Sequence, residues 1–235
     1  MAAIFWKEVK SYFYSPIAYV LIGLFIALTS IFFYFGNLMG GSGDVNSLLS
    51  NVVFFLVFII PILTMKIMAE DRKNGTEVLL ITSPSSLTAV VVGKFLASYF
   101  VFVVLAAITL VYPIIILALG GQVTPAMVGG YLGFLLLGAA FVSFGVFASS
   151  LTESQVIAAI IGIVGLLVMF LAGSISSSIG GIISKVLSWF SLLTRYDDFS
   201  KGILGLGPIV YYLSFVAVFL FLTIRVIEKR RWSQG

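Results

Sequence analysis

Cysteine and histidine are both absent from the 235 residues of this chain. Without cysteine there are no disulfides and no thiolate metal sites. Without histidine the commonest general base and the commonest metal ligand are missing. Charge is scarce as well: Asp, Glu, Lys and Arg make up 9% of the residues. A soluble domain carries roughly a quarter, so too few charges are present to cover a water-facing surface. No G-x-x-x-x-G-K-[ST] phosphate loop occurs, and the chain has no visible means of binding ATP itself. What the sequence has in abundance is apolar residues, at 61%, with a mean hydropathy of +1.20. At about 20 residues per span, six spans need roughly 120 residues and leave the rest for loops and tails. These are the proportions of an all-α integral membrane protein.

Six uncharged apolar stretches follow one another, at about Ile17–Phe35, Leu48–Met65, Phe95–Leu119, Val128–Leu151, Val156–Ala172 and Ile209–Ile224. The first starts only after Lys7, Glu8 and Lys10 and is followed by no small-residue cleavage site, so it is expected to remain as a span. Glu153 and Gln155 separate the fourth and fifth by so little that the two should form a tight helical hairpin. Basic residues set the direction. With the amino terminus inside, Lys7, Lys10, Lys66, Arg72, Lys73, Lys94, Arg225, Lys229, Arg230 and Arg231 are cytoplasmic, and Lys185, Arg195 and Lys201 are external. That ten-to-three division favours two cytoplasmic termini. The pI near 9.3 follows from these anchors, and nucleic acid need not be invoked as a partner. No Asp, Glu, Lys or Arg stands near the middle of a span, which removes the usual coupling-ion ligand of a self-powered carrier.

Outside the spans, Ile4–Tyr14 reads as an amphipathic helix at the membrane interface. Phe5, Val9, Tyr12 and Phe13 recur on one face, and Lys7, Lys10, Ser11 and Tyr14 on the other, before Pro16 breaks the helix. The loop from Lys66 to Lys94 holds Lys66, Glu70, Asp71, Arg72, Lys73, Glu77 and Lys94. A helix carried on from the second span should end near Gly75, which tolerates a left-handed backbone. Asn74 and Glu77 resemble a capping pair for a second short helix carrying Val78, Leu79, Leu80 and Ile81, which Ser83 and Pro84 end. Four apolar residues in such a loop need a partner.

Between the fifth and sixth spans, Gly173–Pro208 forms the largest external piece. Ile182, Ile183, Val186, Leu187, Phe190 and Leu193 share one face there, so a surface-lying or partly inserted hairpin is expected. Asp197 and Asp198 are adjacent and diverge on a helix, which suits a cap better than acid–base chemistry. Gly40, Gly41 and Gly43 lack a following lysine and read as turn residues. Pro61 and Pro113 are expected to kink the second and third spans. Small residues are spaced for close contact: Ala158, Gly162 and Gly165 on the fifth span, Gly129 and Gly133 on the fourth.

Four segments carry a resemblance to a known family. They are FWKEVKSYFYSPIAYV at the start, MAEDRKNGTEVLLITSPSSLTAVVVGKFLA in the loop, GVFASSLTESQVIA at the fourth-to-fifth hairpin, and YDDFSKGILGLGPIVYYLSFVAVFLFLT near the end. Together they resemble the permease subunits of type-2 (type V) ABC exporters, and look closest to the gliding-motility-associated permeases. The resemblance implies a dimer of permease chains, meeting at a face that includes Ala158, Gly162 and Gly165, on a dimer of separate ABC ATP-binding subunits. ATP and Mg would then sit on those partners, with no cofactor and no catalysis on this chain. It implies an interfacial helix with Phe5, Lys7, Val9 and Lys10, and an external re-entrant helical hairpin between spans five and six. Glu70, Asp71, Arg72, Gly75, Thr76, Glu77, Leu79 and Leu80 would form the loop that couples to the ATPase. The setting implied is the bacterial inner membrane, with lipids around the chain. A second reading has the same engine act as a mechanotransmitting platform on an envelope protein partner, moving no substrate.

Overall fold

Where the helices start and stop follows from local chemistry. The computed structural model describes residues 1–41, 43–76, 86–122, 124–178, 181 and 191–233, with backbone alone for 177, 178 and 231–233. Among them the chain is helical and has no strand. Helix α1 (Ala2–Tyr14) ends where Ser15 turns extended, and Pro16 opens α2 (Pro16–Phe32) at the position where its missing N–H costs nothing. The last turns of that span widen into a π-helix, Phe33–Met39, before Gly41 turns the chain in a left-handed conformation (φ 63°). Asp44 caps α3 (Val45–Thr64) by accepting from the Asn46 N–H at 2.9 Å. Pro61 stands inside α3, and the helix breaks at Met65, after which α4 (Lys66–Lys73) continues the second span.

Ser86 caps α5 (Leu87–Ile108), accepting from the Ala89 N–H. The third span then breaks at Thr109–Leu110 and resumes as α6 (Val111–Ala118). Pro113 explains the break: it has no N–H to donate back to the Thr109 carbonyl, which instead accepts from the Tyr131 hydroxyl at 2.9 Å. Pro125 opens α7 (Pro125–Leu151), and three residues separate that helix from α8 (Gln155–Ser178), the tight hairpin the sequence anticipates. Helix α8 runs further than the expected Val156–Ala172. After the undescribed 182–190, where most of the expected external apolar face falls, come α9 (Leu192–Ser200) and α10 (Leu206–Ser233).

Among the described residues, six helical stretches are long and apolar enough to cross a membrane: Pro16–Met39, Val45–Lys73, Leu87–Ala118, Pro125–Leu151, Gln155–Ser176 and Leu206–Arg230. The chain is a multi-pass membrane protein. Helices α3 and α7 are covered along most of their lengths, while α2, α8 and α10 keep most of their surface exposed. Helix α10 lies along α7 through an aromatic seam, with Phe219 against Phe144 and Phe147 at ring distances of 5.1 and 5.5 Å.

Helix α9 is seated against α7, α8 and α10, with Leu192, Tyr196 and Phe199 buried. Gly129 and Gly133 make that seat. A side chain at Gly129 would meet the Phe199 carbonyl, and one at Gly133 the Phe199 ring. Asn46 ties the same corner together, donating to the carbonyls of Ala126 and Ser200 at 2.9 and 2.7 Å. The cap of α9 is Ser191, whose hydroxyl accepts from the Thr194 N–H. Asp197 and Asp198, expected as a cap, lie instead inside the helix, where the Asp197 carbonyl accepts from Lys201 N–H and Ser200 hydroxyl.

Candidate functional site

The end of the bundle that holds both ends of the chain also holds α4 and the α7–α8 turn, and most described charges gather there. Its centre is Lys94. The sequence places this residue in a loop ahead of the third span, but it lies within α5 and is 1% exposed. A buried ammonium must be paired, and this one is. It donates to Glu8 Oε1 of α1 at 2.8 Å and to the Ile67 carbonyl of α4 at 2.7 Å, and it pairs with Asp71 Oδ2 of α4 at 2.6 Å. One side chain thus joins three helices. Breaking such a buried pair from one side costs about 3–5 kcal/mol, because the remaining charges are left unpaired.

Tyr12, one turn beyond Glu8, reinforces the joint. Its hydroxyl donates to the Leu63 carbonyl at 2.9 Å and meets Ser98 Oγ at 3.0 Å. Burial pushes the Tyr12 phenol far above its ordinary range, the Ser98 hydrogen bond opposing, so it keeps its proton. The ammonium of Lys66 lies 4.8 Å from the centre of the Tyr12 ring. Val9 is buried, Phe5 is half-buried with its ring edge-on to Phe100 at 5.9 Å, and Lys7 and Lys10 face outward.

Helix α4 is held on its other side by the α7–α8 turn. The break at Met65 frees the first N–H groups of α4 from their usual acceptors. Ser149 of α7 supplies a replacement: its hydroxyl accepts from Met68 and Ala69 N–H, both at 3.1 Å, and donates to the Met65 carbonyl at 2.8 Å. At the far end of α4, Arg72 pairs with Glu153 of the turn at 2.8 Å. That contact is exposed, with Glu153 at 59%, and is worth about 0.2–1 kcal/mol. Arg230 of α10 donates to the Ser150 carbonyl, so the last turn of α7 is capped by a cation from a different helix.

The chain leaves α4 as the sequence expects. Gly75 takes a left-handed turn (φ 70°), and Asn74 N–H closes on the Glu70 carbonyl at 2.9 Å. Thr76 folds back, its hydroxyl donating to Asp71 Oδ1 at 3.0 Å. Glu8, Glu70, Asp71, Asn74, Thr76 and Lys94 therefore line one cleft of about 240 Å³. Of the expected coupling residues the structure brings together Glu70, Asp71, Arg72, Gly75 and Thr76 on or just past α4. Glu77, Leu79 and Leu80, with Val78 and Ile81, lie outside the described residues.

The small residues of α8 turn into the chain's own bundle. Ala158 is buried, a side chain at Gly162 would come within 2.8 Å of Pro61 of α3, and one at Gly165 would strike the Phe144 ring of α7. The expected face between chains is thus occupied within this one. The outward face of α8 carries Ile157, Ile160, Val164, Val168 and Leu171 instead.

Ser98 and Ser149 are members of this site that the sequence analysis does not name, and Glu8 and Lys94 enter it only as charges flanking the spans. Only Glu8 carries a signal, since it falls on the apolar stripe of α1 between Phe5 and Tyr12.

A family model for the membrane component described as ABC-2 type transporter matches residues 1–196, which takes in the first five spans and much of α9. Comparison with curated proteins finds no match. With most of its length so matched, and with six apolar helices in its fold, the chain belongs to the ABC-2 type transporter family as a membrane-spanning permease subunit.

Proposed function

We propose that the chain is an export permease that converts ATP hydrolysis on a separate ATP-binding subunit into substrate movement across the bacterial cytoplasmic membrane. Two permease chains work on two such subunits, which carry the ATP and Mg. Both ends of this chain are cytoplasmic, α1 lies in the inner leaflet interface, and α9 belongs to an external re-entrant hairpin. Within the family we place it with the gliding-motility-associated permeases, on the four sequence segments that resemble theirs.

The observation that carries this reading is α4. It prolongs the second span past the apolar region, groups Glu70, Asp71, Arg72 and Thr76, and turns at Gly75 toward an apolar sequence, Val78–Ile81. An apolar centre with a charged rim suits protein docking, and a chain lacking a phosphate loop must receive its energy through such a contact. The outward Trp6, Lys7, Lys10 and Tyr14 of α1 support the interfacial placement, since aromatic and basic side chains favour the headgroup layer.

The test is co-purification from detergent. The parent chain should bring down an ATP-binding subunit, and Leu80→Asp should lose it, because burying an unpaired charge costs several kcal/mol. Gly75→Val should keep the partner but separate hydrolysis from transport. Undiminished recovery with Leu80→Asp overturns the docking assignment.

A further inference from the structure

We propose that α4 is a lever with a fixed root and a releasable tip, in which the Arg72–Glu153 ion pair is the contact that opens and closes as the transporter works. The proposal rests on the reading that a partner ATPase acts on the segment beyond Gly75. The geometry of the two ends of α4 carries it. At the root, the attachments are mostly buried: Lys94 holds the Ile67 carbonyl from one side, and Ser149 holds the buried Met68 and Ala69 and the half-buried Met65 from the other.

At the tip, the two sides differ. Asp71 is bound to the buried Lys94 and through it to Glu8 of α1, whereas Arg72 reaches the α7–α8 turn only through an exposed pair and a 3.5 Å contact with the Leu151 carbonyl. Adjacent residues on a helix point about 100° apart, so Asp71 and Arg72 tie one tip to two different bodies. A force applied beyond Gly75 separates the weaker of the two first. That is the Arg72–Glu153 pair, with side chains 30% and 59% exposed, because water and salt compete for it far more than for Lys94, whose side chain is 2% exposed. The tip then leaves the α7–α8 hairpin while α1, α4 and α5 keep their joint. Arg72 is a positioning residue in this scheme: it sets where the docked segment stands relative to spans four and five.

The chain has no cysteine, so pairs of thiols can be placed and bridged by a short bifunctional reagent. Arg72→Cys with Glu153→Cys spans the tip. Ser11→Cys with Lys66→Cys spans the root, between α1 and the first turn of α4. In the purified complex, bridging 72 to 153 should leave the ATP-binding subunit bound yet reduce ATP hydrolysis by about tenfold or more. Bridging 11 to 66 should leave hydrolysis at the rate of the same double-cysteine variant before bridging. The charge swap Arg72→Glu with Glu153→Arg should restore coupling that either single change impairs, which a purely structural contact elsewhere would not do.

Parent-rate hydrolysis with the tip bridged overturns the proposal, and so does equal inhibition by both bridges. Failure of the unbridged parent to recover an ATP-binding subunit overturns the functional reading instead. The lever is then judged on the chain alone in lipid vesicles, by spin labels at Lys73→Cys with Ser154→Cys, which leave the Arg72–Glu153 pair in place, and at 11/66. Two distances at 73/154 against one at 11/66 sustain it, and a single distance at both overturns it.

Discussion

Lys94 is where the residue scale decides most. Lys94→Met takes the main cation from the Asp71 and Glu8 carboxylates, leaving Glu8 only the longer 3.8 Å contact with Lys7, and should lower stability by about 3 kcal/mol, seen as a large fall in the thermal midpoint of the detergent-solubilised chain. Adding Glu8→Gln and Asp71→Asn to that variant removes the stranded charges and should recover a substantial part of the loss. An unchanged midpoint in the single variant would show that the ammonium is not buried among these groups. In the sequence Lys94 counts simply as one more basic flank of a span. Its partners Ile67 and Glu8 stand 27 and 86 positions away, and Asp71 lies between Ile67 and Lys94, separations that no local pattern reports. The one local trace is Glu8, an acid on an apolar stripe, which signals a buried counter-charge without saying where it lies.

At the scale of elements, the small residues of α8 show what spacing reveals and what it omits. Ala158, Gly162 and Gly165 do mark a close helix contact, as their spacing requires. Spacing does not say whether the neighbour is in the same chain, and here it is Pro61 of α3 and Phe144 of α7. Gly162→Leu should therefore destabilise the chain itself, lowering its thermal midpoint whatever its effect on assembly, since the new side chain meets the rigid Pro61 ring. Val164→Trp, on the outward face, should leave the midpoint unchanged and weaken crosslinking between the two permease chains that we propose. The reverse pattern would return the glycines to an interface between chains.

Helix boundaries were legible to a similar degree. Pro16 is a local signal that marks a true start, whereas the helices of the third and fourth spans begin at Leu87 and Pro125, ahead of the expected Phe95 and Val128, because the Ser86 cap and Pro125 lie outside the uncharged apolar stretches. The break at Met65 and the run of α8 to Ser178 are settled by neighbours: Ser149 receives the freed N–H groups of α4, and α9 packs beside α8.

For the whole molecule, the distribution of charge between the two ends carries the last expectation, its orientation. The fold gathers Lys7, Lys10, Lys66, Arg72, Lys73, Lys94, Arg225, Lys229 and Arg230 at the end shared by α1, α4 and the α7–α8 turn, leaving Arg195 and Lys201 of the described basic residues at the other. The ion contacts of Lys94, Arg72 and Arg230 fix that end as one unit, so the six spans cannot be re-threaded to divide the charge more evenly. Translocating nine basic residues is disfavoured against translocating two, and the gathered end should face the cytoplasm. Ser47 and Asn74 are exposed at opposite ends, and each can be replaced by a single cysteine. An impermeant maleimide should label Ser47→Cys in intact cells and Asn74→Cys only after permeabilisation. Labelling of Asn74→Cys in intact cells would turn the molecule over. It would put α4 and Gly75 outside, where no cytoplasmic ATPase reaches them, and the proposed coupling would fall with the orientation.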